Sequence, residues 1–211
     1  MQNQQHNNGM EVTLKTPRLY LRAIEESDAE NICTALSVRQ ISDAMISIPY
    51  PFSMEDSKRY IAQRKHDQKR DLACVFVIER TSDNNFCGLI EVREIDQEHT
   101  QAELSFWLAI EAWGNGYMSE VIPAVVNYCF KKLELNRLYG YHMVRNPASG
   151  RTLEKSGFTK EGVLRQRVNK LGVFEDVALW AILQADVSST YGEELHNKTI
   201  QSEQRKTRPV R

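Results

Sequence analysis

Residues 111–130 read EAWGNGYMSEVIPAVVNYCF, a Trp-Gly-x-Gly tetrad set directly against an apolar-periodic run. Val121, Ile122, Val125, Tyr128, Cys129 and Leu133 recur at helical spacing. The segment just before, AELSFWLAI (102–110), alternates apolar and polar residues as a strand does. Gly114 and Gly116 therefore stand where a strand hands over to a helix. A helix N-terminus presents unpaired N–H groups and the positive end of the macrodipole. Where the preceding residues lack Cβ atoms, a phosphate can approach those donors closely. Gly114-Asn115-Gly116-Tyr117-Met118-Ser119 fits that description, and Ser119 adds a hydroxyl. No GxxxxGK[ST] is present, and the third glycine of a dinucleotide fingerprint is missing. A plain tight turn is the competing reading. Pro123 costs little only in a first turn, so the regular helix is expected to begin near Ser119 to Ile122.

The chain around this turn reads as one domain. RLYLRAI (18–24) is a strand, and Ser27-Asp28 opens a helix through Val38. IPYPF (48–52) is irregular because of its prolines, and Ser53-x-x-Asp56 resembles a capping box for a helix reaching about Lys69. LACVFVIER (72–80) and FCGLIEVREI (86–95) form a hairpin over TSDNN. RLYGYHMV (137–144) is a strand, NPASGRTLEKSGF a short helix stopped at Gly157, and GVLRQRV with VFEDVALWAIL a closing hairpin. Hairpins at both ends and strand–helix–strand crossovers between them imply an α+β or mixed α/β layer fold. The expected organisation is a polar tail over residues 1–10, one domain over 11–186 and a second polar tail over 187–211; whether the start is Met1 or Met10 stays open.

Bulk composition narrows the function classes. The 211 residues carry a formal net charge of −1, with 41% hydrophobic and 26% charged residues. That balance gives no field for nucleic acid or an anionic membrane, and no run approaches the ~20 apolar residues of a membrane span. The N-terminus has no signal-peptide pattern, so cytoplasmic residence is the expectation. The four cysteines form no CxxC pair and the histidines show no ligand spacing, so no metal site is expected.

Four stretches, taken in order, resemble the GNAT superfamily of N-acetyltransferases, in particular the subgroup of the RimJ and RimL ribosomal-protein N-terminal acetyltransferases. They are KTPRLYLRAIEESDAENI, AELSFWLAIEAWGNGYMSEVI, CFKKLELNRLYGYHMVRNPASGRTLEKSGF and EGVLRQRVNKLGVFEDVALWAIL, which together span most of residues 12–185. The resemblance implies a central mixed, mostly antiparallel sheet of about seven strands with helices on both faces. It also implies acetyl-CoA as co-substrate and a primary amine as acceptor, either a protein N-terminus such as that of a ribosomal protein or a small molecule. A homodimer is common for such folds. By the same resemblance, the backbone of Trp107, Leu108, Ala109 and Ile110 would bind pantetheine and polarise the acetyl carbonyl. Trp113 through Ser119 would hold the pyrophosphate, and Asn146 would contact the pantetheine arm. The family loop usually reads Arg/Gln-x-x-Gly-x-Gly/Ala; Trp113 and Met118 occupy its first and last places here, and only the Met118 backbone N–H is required.

Acetyl transfer to an amine needs a neutral nucleophile, a stabilised oxyanion and an acid for the leaving thiolate. Glu103 is the candidate base, acting through a water, with a strand salt bridge as its alternative role. Many relatives place a tyrosine acid where Leu153 falls here, so Ser149 is the substitute, with a helix cap as the alternative. RimL-like relatives can carry a Glu where Val168 stands. Asp176 either orients structure or binds the acceptor amine. Ser47, Tyr50 and Phe52 are the acceptor-pocket candidates, while Trp107, Trp113, Trp180 and His142 fit core positions as well as a site. A non-catalytic acyl-CoA-binding or regulatory module remains the alternative to an enzyme.

Overall fold

The computed structural model describes residues 12–187; the expectations for the two polar tails lie outside them, apart from Val187. Eight strands form one sheet in the order β1-β2-β3-β4-β5-β6-β8-β7. They are β1 (Leu14–Lys15), β2 (Leu19–Ala23), β3 (Ala73–Arg80), β4 (Phe86–Asp96), β5 (Gln101–Leu108), β6 (Arg137–Met143), β7 (Thr159–Lys170) and β8 (Val173–Leu183). Every pairing is antiparallel except β5 with β6. The eighth strand, beyond the seven expected, is β1. Two residues are too short to show any alternation, and they fold back on β2 across the Thr16–Leu19 turn.

Helices cover both faces. Against one face lie α4 (Tyr117–Lys132) and α5 (Pro147–Lys155), where Val121, Ile122, Val125 and Leu153 bury against Ile90, Val92 and Leu104. Against the other lie α1 (Ala29–Leu36), α2 (Arg39–Ala44) and α3 (Met54–Lys69), where Ile32, Leu36 and Ile61 meet Val75, Val77, Leu89 and Trp107. The helix expected from Ser27-Asp28 through Val38 is α1, which stops at Leu36 as Ser37 Oγ turns to the main chain, 2.6 Å from Cys33 O and 2.8 Å from Phe52 O, and Val38 is extended; α2 beyond it was not expected. Ser53 and Asp56 form the expected reciprocal cap of α3.

Pro123 lies inside α4, which begins at Tyr117, earlier than the proline suggested. Gly116, left-handed at φ 73°, is the N-cap, and Glu120 N–H makes the first helical bond to Gly116 O at 3.2 Å. Pro123 is exposed, so the Ser119 carbonyl that it fails to serve lies on the solvent side of the helix. Among the described residues no helix is long and apolar enough to cross a membrane.

Candidate active site

Strands β5 and β6 pair only through Gln101–Arg137, Ala102–Leu138 and Glu103–Tyr139. Beyond that point they part, leaving one edge of β5 from Leu104 to Leu108 without a neighbouring strand. Just past the last pair the two backbones are still close, since a Cβ on Gly140 would sit 3.1 Å from Leu104 O. Main-chain polar groups point to alternate sides along a strand. Ala109 N–H donates to Cys87 O at 2.9 Å, which turns Trp107 and Ala109 toward β4. Phe106 and Leu108 therefore present their main-chain groups at the open edge. The Leu108 carbonyl there already accepts from the Trp113 indole Nε1 at 2.9 Å. Of the expected Trp107–Ile110 donors, the Ala109 N–H is spent inside the sheet, and Phe106, which the sequence reading passed over, faces the gap.

At the foot of the gap is a notch lined by Ala44 to Ser47, Arg93, Glu103, Leu104, Ser105, Phe106, Tyr141, His142, Ser149 and Leu153. It brings together Glu103, Ser149 and Ser47, which lie in three separate parts of the chain. Glu103 is 7% exposed, and its Oε1 accepts from Arg93 Nη2 at 2.6 Å. Burial raises its pKa above the ordinary carboxylate range, and Arg93 opposes that rise without cancelling it. Oε2 has no hydrogen-bond partner among the described residues. Ser149 Oγ accepts from Asn146 Nδ2 at 3.0 Å, so its own proton remains free to donate. Leu153, at the family's tyrosine position, is buried core. His142 is satisfied on both ring nitrogens: Nε2 accepts from Trp180 Nε1 at 3.0 Å, and Nδ1 lies 2.9 Å from Met143 O. Burial lowers its pKa, which keeps the ring neutral.

The wall formed by residues 44–47 is held from several directions. Arg145 donates to the Asp43 carbonyl at 2.9 Å and pairs with the Asp43 and Glu175 carboxylates. Lys170, buried in the β7–β8 hairpin, donates Nζ to Ile48 O. Phe52 is 6% exposed within the α1–α3 core, so it anchors this loop and does not line the notch. Tyr50 is half out of the protein and carries Arg39 over its ring, 5.5 Å from the centroid, also away from the notch. Asp176 accepts from Gln166 N–H at 2.8 Å and fastens the bulge in β7, the structural of its two expected roles. Trp107 is buried core.

The glycine loop lies at the far end of the open edge. None of the backbone N–H groups from Gly114 to Ser119 has an acceptor among the described residues. The carbonyls around them are taken instead. Asn115 Nδ2 donates to Ala112 O at 3.3 Å and to Trp113 O at 3.0 Å, Arg18 Nη1 donates to Asn115 O at 3.0 Å, and Glu120 N–H takes Gly116 O. Donors are exposed and acceptors masked, which is the arrangement an anion needs. Tyr117 and Met118 turn their side chains into the α4 core, so the bulk of Met118 leaves the loop clear. Among the described residues, no group of three or more His, Cys, Asp or Glu is placed to hold a metal.

Comparison with known proteins fits this geometry. Residues 18–159 match the family described as the acetyltransferase (GNAT) domain. The uncharacterized N-acetyltransferase YoaA of Bacillus subtilis (strain 168) is 35% identical over 176 residues, covering 81% of this chain and 96% of that protein. The crystal structure of spermidine N-acetyltransferase from Vibrio cholerae in complex with CoA and spermine is 30% identical, covers 80% of this chain and 96% of its own, and superposes with a TM-score of 0.71. RimL, the ribosomal L7/L12 α-N-protein acetyltransferase solved with coenzyme A, shares the fold at a TM-score of 0.75 with 21% identity, covering 82% of this chain and 98% of its own. The parted strands, the donor-rich loop and these matches together place the chain in the GNAT acetyltransferase family.

Proposed function

We propose that the protein is an acetyl-CoA-dependent N-acetyltransferase acting on the α-amine of a peptide N-terminus or a comparable small monoamine. One observation carries the reading. The unpaired edge of β5 runs from a notch holding Glu103 and Ser149 to a loop whose N–H groups from Gly114 to Ser119 have no acceptor among the described residues. The loop would hold the pyrophosphate, and the Phe106 and Leu108 edge the pantetheine; the bound thioester supplies an activated acetyl group. Glu103 would accept a proton from the incoming ammonium, directly or through a water, so that the nitrogen attacks as a free amine. Main-chain N–H groups on the open edge would stabilise negative charge on the carbonyl oxygen. Ser149, whose oxygen is occupied by Asn146, would donate its proton to the thiolate as the C–S bond breaks and regain one from the newly acylated nitrogen, directly or through a water.

Charge pairing favours an α-amine. Glu103 is tied to Arg93, while Asp43 and Glu175 share Arg145, so the carboxylates at the notch and its wall are already matched. Exposed Glu94, beside Tyr139, is the exception. A matched set of charges offers little to the several ammonium groups of a polyamine. A carboxylate restrained by Arg93 is also better suited to an α-amine of pKa about 8 than to an alkylamine of pKa about 10. Thiol release measured with N-terminal peptides, amino acids and spermidine tests this: kcat/KM is expected to be highest for a peptide or monoamine, and a clear preference for spermidine would overturn the acceptor assignment. The catalytic reading draws support over a non-catalytic module from Ser149 and Glu103 sharing one notch. A homodimer is the proposed assembly. Its support is the edge position of β7 and the exposed Leu171, Val173 and Phe174 at the hairpin tip, and sedimentation tests it.

A further inference from the structure

The glycine loop carries no Lys or Arg between Trp113 and Ser119, yet a guanidinium reaches it from the other end of the chain. Arg18, between β1 and β2, donates Nε to Glu120 Oε2 at 2.7 Å and Nη1 to Asn115 O at 3.0 Å. Its guanidinium carbon lies 4.9 Å from the centre of the Tyr117 ring. Glu120 is held in turn by Thr16 Oγ1 at 2.6 Å and by the Arg18 N–H at 2.8 Å. This one side chain thus joins the β1–β2 turn, the first turn of α4 and the loop main chain.

We propose that Arg18 is the positioning residue that fixes the Asn115–Gly116 peptide in the orientation that receives the pyrophosphate. In a trans peptide the C=O and the following N–H point in opposite directions. Holding the Asn115 carbonyl on the Arg18 side therefore commits the Gly116 N–H to the opposite side. Gly116 pays almost no steric cost for either orientation of that peptide: its φ is 73°, and the nearest atom a Cβ would meet is Arg18 Nη2 at 3.9 Å. The glycine that opens the loop to a phosphate leaves the peptide free to turn over, and a turned peptide would present a carbonyl oxygen to the anion. The clamp decides between the two. Its charge is neutralised by Glu120, so its action is geometric and not a matter of long-range attraction. The inference rests on the acetyl-CoA reading above.

The test compares wild type, Arg18→Met and Glu120→Gln by calorimetry with acetyl-CoA and by NMR titration with acetyl-pantetheine, which lacks the pyrophosphate. The Gly116 amide resonance is followed in each free protein, and melting temperature reports the fold. The clamp predicts a displaced Gly116 resonance in free Arg18→Met, acetyl-CoA binding at least ten-fold weaker, and acetyl-pantetheine binding within two-fold of wild type. It also predicts weaker acetyl-CoA binding by Glu120→Gln, because that change loosens Arg18, although it removes a negative charge near the phosphates. Tighter binding by Glu120→Gln would overturn the clamp in favour of charge attraction. Undiminished binding by Arg18→Met would overturn it outright, and an equal loss of both ligands would reduce Arg18 to a folding role. A folded wild type that binds acetyl-pantetheine but not acetyl-CoA would overturn the pyrophosphate assignment itself, and the clamp with it.

Discussion

Glu91 carries an unusual electrostatic load for a strand residue. It is 3% exposed on β4, and Arg64 Nε stands 3.1 Å from its Oε2 without the alignment of a hydrogen bond. Burial, opposed by Arg93 and then reinforced by the Glu103 charge, moves its pKa from 4.5 up to about 7. An acid whose native pKa lies above its unfolded value keeps its proton longer in the native state. Its contribution to stability is fully present below about pH 4.5, declines as pH rises to about 7, and is constant beyond. At about 1.4 kcal/mol per pH unit the loss is about 3 kcal/mol. Glu91→Gln stays neutral and keeps the shape, so its unfolding free energy should match wild type near pH 4.5 and exceed it by about 3 kcal/mol near pH 8. For a domain of this size that difference is roughly 6–12 °C in melting temperature. Urea unfolding of both proteins across that range reads it directly, and the variant–wild type difference cancels the other titrating groups. Two parallel stability curves would refute the reasoning and make Glu91 an ordinary ionised partner of Arg64.

Four further outcomes follow from the site and its supports. Glu103→Gln should lower kcat/KM by about 10²–10⁴-fold with acetyl-CoA affinity unchanged, and the wild-type rate should rise with pH through a limb above the ordinary carboxylate range that the variant lacks. Ser149→Ala should reduce kcat by about ten-fold or more in steady-state assays with little change in acetyl-CoA affinity. Gly116→Asp, which puts a like charge at the loop and costs about 1–2 kcal/mol in the left-handed region, should abolish calorimetric acetyl-CoA binding in a protein that still unfolds cooperatively. Gly88→Ala would place a Cβ 2.2 Å from Trp107 O at φ 148°, so denaturant curves should show a loss of about 3 kcal/mol or more as β5 is pushed aside.

Local patterns in the chain foretold seven of the eight strands and most of the helices, because alternation and capping act over a few residues. The short helix α2 escaped notice because six residues carry too little periodicity to show, while the end of α1 at Ser37 is fixed by the Phe52 carbonyl, supplied by a loop that sequence pattern leaves shapeless. The same distance effect misled the reading of Phe52. Among prolines it resembles a pocket wall, yet it packs against the α1–α3 core, and only tertiary contact reveals this. In the site, Gly114 and Gly116 announced a close backbone approach, but Arg18 was hidden because it meets Asn115 across 97 residues of sequence. Glu91 and Arg93 drew no reading beyond their place in the strand FCGLIEVREI. Both faces of β4 are covered, so period-two alternation there separates one buried layer from another, and the charged layer lies under α3.

The central claim is tested most directly by calorimetric titration of the wild-type protein with acetyl-CoA, with acetyl-pantetheine alongside. Micromolar binding of acetyl-CoA, much weakened when the pyrophosphate is absent, is the predicted result. A cooperatively folded sample that binds neither molecule would contradict the account and leave Gly114 and Gly116 as a turn.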